Sequence, residues 1–114
     1  MNLFSGLASL IAAILTLTPG TSPWIQVRDM TEGEVPGVGV AVLFPNGYGA
    51  DIVRHQHSIG GPGSWELAVT DCRGHLIYDT PITDNVIGYL DEKEVIDICR
   101  DINDLPSQEI RPRL

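Results

Sequence analysis

His55 and His57 are the residues whose type and spacing could most directly do chemistry. On an extended strand, residues two apart point to the same face, so both imidazoles could reach one metal ion. A third ligand would have to come across the sheet from Asp71, Cys72 or His75. No Cys-x-x-Cys or His-Glu-x-x-His spacing completes such a set. The competing reading is a polar outer strand face, with Arg54, Gln56 and the histidines turned toward water or a partner. That reading is preferred, so no metal or other cofactor is expected. Nucleophilic catalysis has less support: there is no Gly-x-Ser-x-Gly elbow, and Ser64 and Cys72 lack a base and an orienting group. The glycines of "SIGGPGS" are not followed by the Lys-Ser/Thr pair of a phosphate loop. No enzyme is expected.

Carboxylates offer a different chemistry. Nine Asp and six Glu stand against six Arg and one Lys, a formal charge of −8 over 114 residues. Binding to DNA, RNA or an anionic membrane surface is disfavoured, because phosphate is bound by Lys and Arg. An acidic surface instead steers a basic protein partner toward it, although the same charge also serves solubility. Glu94, Asp97, Asp101 and Asp104 recur at three and four, which lines them along one side of a helix. Arg54, His55, Tyr48, Trp65 and Tyr89 make a second constellation, in which Arg, Trp and Tyr are the types enriched in binding hot spots. Of these, Trp65 is expected in the core and Tyr48, at a hairpin tip, at the surface.

These residues need elements to hold them. "VGVAVLF" (Val38 to Phe44) is a well-buried strand by its β-branched content. Asn46-Gly47 is a hairpin signal, because both residues tolerate positive φ. "ADIVRHQH" returns, "WELAVT" alternates with period two, "DCRG" turns, and "HLIYD" completes a second hairpin. Asp91 is the expected N-cap of a helix with Glu94 three residues on. Val95, Ile98, Ile102 and Leu105 give that helix an apolar face, and Pro106 ends it. Trp24, Ile25 and Val27 are read as a short edge strand in a connector. The expectation is an α+β domain: a small antiparallel sheet of three or four strands, a meander of hairpins, covered by a C-terminal helix. Cys72 falls in a turn and Cys99 on the helix. Both are read as reduced thiols.

The N-terminal run is apolar, and Leu3, Leu7, Leu10, Ile14 and Leu17 alternate at four and three, an a/d seam. No Lys or Arg precedes Arg28, so the positive start of a secretion signal is missing. The run is also shorter than the roughly 20 residues a membrane span needs. A helix that docks or oligomerises ranks first, membrane association second and a cleaved signal third. The boundaries drawn are an apolar helix over 1–18, a connector over 19–37, an α+β domain over 38–106 and a tail over 107–114.

"FPNGYGADIVR", "WELAV" and "YDTPITDNVIGYLDEKEV" together resemble a family of small acidic proteins encoded by bacteriophages and prophages, whose members carry no assigned chemistry. The resemblance covers about half of the chain, Phe44 to Asp101, and implies a phage context but no activity. The apolar helix departs from the family's pattern. The expected function is that of a non-enzymatic binding module in the host cytoplasm, meeting a host protein with a basic surface. A nucleic-acid-handling or defence enzyme, inhibited by carboxylates standing in for phosphate, fits best. The alternative is a virion or membrane-associated component assembled through the N-terminal helix, as a homo-oligomer. The third is a metal-binding protein using His55 and His57.

Overall fold

The β-branched stretch at the centre of the chain becomes the middle of an antiparallel meander. A computed structural model describes residues 6–17, 22–29, 32, 36–55, 63–83 and 85–106. Its elements are α1 (Leu7–Leu15), β1 (Trp24–Asp29), β2 (Gly37–Leu43), β3 (Gly49–His55), β4 (Trp65–Thr70), β5 (Ile87–Leu90) and α2 (Glu92–Asn103). The strands lie side by side in chain order, each antiparallel to the next. The α+β architecture is therefore as expected, with five strands among the described residues instead of three or four.

Period-two alternation divides the sheet into two faces. Val38, Val40 and Val42 of β2 stand across from Arg54, Ile52 and Ala50 of β3, and Ala50 and Ile52 across from Val69 and Leu67 of β4. This inner face, with Trp65, forms one core with Leu10 and Ile14 of α1 and Val95, Cys99 and Ile102 of α2. Helix α2 packs over β4 and β5, and α1 lies alongside α2. The outer face carries small side chains, among them Gly39 and Ala41 of β2.

Two hairpins share one loop design. Phe44 N–H donates to Tyr48 O and Gly47 N–H to Phe44 O, with Gly47 at φ +91°. Asp71 N–H donates to His75 O and Gly74 N–H to Asp71 O, with Gly74 at φ +84°. Each is a three-residue loop ending in a left-handed glycine. Asn46 itself has no positive φ among the described residues, so the Asn-Gly pair does not make the two-residue turn that the sequence suggested. Pro45, with φ fixed near −65°, suits the first corner of the turn.

The edge strand expected at Trp24, Ile25 and Val27 is present as β1, six residues long, so the sheet begins before residue 38. One further expectation is corrected. Residues 75–79 pair with β4 only through the Thr70–Leu76 bridge and the Ile77 N–H to Val69 O bond. The strand that completes the sheet is β5. Its pairings, Trp65 with Leu90 and Leu67 with Ile87, leave Gly88 and Tyr89 across from the single residue Glu66. This is a β-bulge, and Tyr89 adopts φ +60° within it.

Candidate functional site

The acidic side of α2 is built on a well-made helix. Glu94 N–H donates to Asp91 Oδ1 at 2.8 Å and Asp91 N–H to Glu94 Oε1 at 3.2 Å, a complete capping box. The opposite face of the helix is anchored by Val95, Cys99 and Ile102, all fully buried. Burial pushes the Cys99 thiol up to about 12, so it stays an uncharged core group. Cys72 is exposed, and both cysteines are free.

The four expected carboxylates are not equivalent. Glu94 serves the cap. Asp97 is braced by Lys93 at 3.5 Å and Arg100 at 3.1 Å. Asp101 and Asp104 are exposed and have no ion pair among the described residues. Asp104 is the C-cap residue, so both carboxylates lie at the end where the helix dipole disfavours negative charge. Like charges spaced three and four apart, as Asp97, Asp101 and Asp104 are, also repel. Helix stability therefore accounts for the acids at the start of α2 and not for those at its end.

That end is held by a residue whose sequence signal pointed elsewhere. The Asn46 side-chain amide donates to Ile102 O at 2.8 Å, Leu105 O at 3.1 Å and Asn103 O at 3.3 Å. The β2–β3 hairpin tip thus closes the carbonyl end of α2 from 56 residues away. Tyr48 follows it into the structure: it is half-buried against the core and not the exposed anchor expected. Among the described residues the exposed aromatics are Tyr89 at 72%, Trp24 at 57% and Tyr78 at 51%.

Arg54 also reverses its expected place. It is 4% exposed on the inner face, with its guanidinium 4.0 Å from the Trp65 ring centroid and 3.1 Å from Glu92 Oε1. Ala50, Ile52 and Arg54 alternate, so the period put Arg54 on the core side although its charge argued for water. The Trp65 indole N–H is buried without a hydrogen bond among the described residues, though near enough to bear on the Glu92 carboxylate. The Glu92 carboxyl is held below its ordinary value of 4.5, chiefly by its own backbone N–H at the helix start. Burial works the other way, and Arg54 and Trp65 add to the lowering. Gly6, the N-cap of α1 at φ +80°, lies against the same carboxylate, so closely that any side chain there would collide with it.

The outer face holds a cleft of about 300 Å³ lined by Trp24, Arg28, Asp51, Thr70, Asp71 and Arg73, among others. Arg28 reaches over the small residues of β2 to Asp51, at 2.5 Å. Asp71 Oδ1 accepts the N–H groups of Arg73 and His75 at 2.9 Å. Slight burial acts to raise the Asp71 carboxyl, but those N–H groups and the nearby His75 and Arg73 charges bring it below its ordinary range. Both carboxylates are thus committed to structural partners.

The metal reading loses its third ligand. His55 lies at the end of β3 that pairs with Gly37, whereas Asp71, Cys72 and His75 follow β4 at the end that pairs with Gly49. Six residues of strand, roughly 20 Å at ~3.4 Å per residue, separate the two ends. No metal-holding group of three occurs among the described residues, and His57 lies outside them. The oligomer seam is altered too. Leu10 and Ile14 are fully buried in the protein's own core, Leu7 and Leu17 pack partly against it, and Leu3 lies outside the described residues. Among the described residues no helix is long and apolar enough to cross a membrane.

No protein-family model matches the chain, and no similar protein was found among curated proteins or solved structures.

Proposed function

We propose that the protein is a non-enzymatic, phage-borne binding module that docks a basic host protein surface in the cytoplasm through the acidic side of α2. The partner fitting this charge is a nucleic-acid-handling or defence enzyme, whose phosphate-binding surface the carboxylates would occupy. The observation that carries the reading is the pair of exposed carboxylates, Asp101 and Asp104, at the helix end where they work against stability. A surface acid that merely keeps the chain soluble would do so at less cost elsewhere on the helix. The rigid capping box and buried opposite face would hold these charges in place, which limits the ordering entropy of binding.

The test is retention of a host protein from lysate on immobilised wild type and on the Asp101→Lys, Asp104→Lys double variant. Wild type should retain a partner at low salt and release it as salt screens the contact. The double variant should not retain it, yet should be more stable by about 0.3–1 kcal/mol per site, since lysine suits a helix C-terminus. Asp97 is left unchanged, because a lysine there would face Lys93 and Arg100. Retention of the same partner by the double variant, with the same salt dependence, would sink the proposal.

A further inference from the structure

β1 ends the sheet. Among the described residues its outer edge pairs with no strand, and Trp24 and Val27 are exposed along it at 57% and 42%. An exposed strand edge with apolar side chains is a template for another strand. We propose that this edge pairs with the β1 of a second copy, giving a symmetric dimer with a continuous sheet across the seam.

Hydrogen-bond geometry restricts the register. In an antiparallel ladder a residue's N–H and C=O point to one side together, and successive residues alternate sides. Residues facing outward must therefore meet residues facing outward. A two-fold axis must then pass through a residue and not between two. Centring on Ile25 leaves only three paired positions within the strand. Centring on Val27 sets Ile25 across from Asp29. Centring on Gln26 pairs five positions, Trp24 to Arg28, and every pair is compatible.

In that register Trp24 meets Arg28 of the second copy on the outer face, twice over, which suits a guanidinium over an indole. Arg28 is already held by Asp51, so its plane is set in advance. On the inner face Ile25 meets Val27 of the second copy, also twice, and extends the core across the seam. Gln26 meets itself on the axis. Helix α2 lies over β4 and β5, at the far side of the sheet, so the dimer leaves both acidic helices free. The seam is small, so a reversible dimer is expected and not an obligate one. Two chains of charge −8 repel, so added salt should tighten this association. That is the opposite of its effect on a basic partner.

The measurement is sedimentation and light scattering of the full chain from micromolar to millimolar concentration. Wild type should dimerise, more tightly at higher salt. Val27→Lys, at a residue exposed in the single chain, should fold normally and weaken the dimer by about tenfold or more. As a second reading, Gln26→Cys in a Cys72→Ser background should form an inter-chain disulfide on oxidation, because the two side chains meet at the axis. Trp24→Cys in the same background should not. A chain monomeric over the whole range, a dimer indifferent to Val27→Lys, or cross-linking equally fast at both positions would overturn the proposal.

Discussion

Asn46 illustrates how a residue can be noticed for one reason and matter for another. Its place before Gly47 marks a turn, and a turn is there. The energetic weight lies in its amide, which closes the last two carbonyls of α2 and that of Leu105 just beyond it. Asn46→Ala should cost about 1 kcal/mol, as for the loss of partly buried hydrogen bonds, seen as a lower urea midpoint at unchanged slope. Asn46→Asp should cost more, since a carboxylate would face carbonyl oxygens at the negative end of the helix. No local pattern announces this, because the contact is tertiary. Tyr89 makes the converse case. It holds a left-handed backbone that a side chain disfavours by roughly 1–2 kcal/mol, while its ring is mostly exposed. Tyr89→Gly should therefore raise the unfolding free energy by about 1 kcal/mol, measured by the same titration. An unchanged or lowered midpoint would mean that the ring contributes more than its exposure suggests.

At the level of elements, periodicity was a good guide wherever it ran unbroken. The alternation of Trp65, Leu67 and Val69 marks a buried face, and the spacing of Val95, Ile98, Ile102 and Leu105 locates another only in part: Val95 and Ile102 are fully buried with Cys99, whereas Ile98 and Leu105 are half-buried. It was silent for β5, four residues interrupted by Gly88 and a bulge. It spoke for Arg54, where Ala50 and Ile52 place the side chain inward, but a charged group in a core needs a partner that sequence does not reveal. That partner is Glu92, in the first turn of α2. Because its folded carboxyl titrates below 4.5, its contribution to stability is complete above that value and is lost as pH falls through the lower folded one. Glu92→Gln should flatten the acid limb of the stability profile, as followed by denaturation at a series of pH values. An acid limb of unchanged slope would assign it to other carboxylates, Asp71 among them. The N-terminal seam was legible as a stripe but not as to its target. A stripe of that spacing serves a second copy or the chain's own core equally well, and here it meets α2.

For the molecule as a whole, the meander places the two proposed contact surfaces at opposite margins of one sheet. β1 forms one edge, while α2 covers β4 and β5 near the other. A charge of −8 then acts in opposite senses on them. Salt should weaken capture of a basic protein and strengthen pairing of two copies. A salt titration that scores both associations in one preparation separates the two proposals. Movement of both in the same direction would show that at least one surface is misassigned. A dimer would also present two acidic helices at once, so that a partner with two basic patches would be held more tightly than either helix alone could manage.

The seat of Gly6 on Glu92 joins the first described helix to the last. Each strand of the meander can pair with the one made just before it, so the sheet can grow as the polypeptide is synthesised. Helix α1 has no such opportunity. The surface that buries Leu10 and Ile14 includes α2, which follows by some eighty residues. Until α2 has been made, that apolar segment must wait without the part of its binding site that α2 supplies. At about 5–20 residues per second that interval lasts several seconds, long enough for a chaperone or a targeting factor to inspect it.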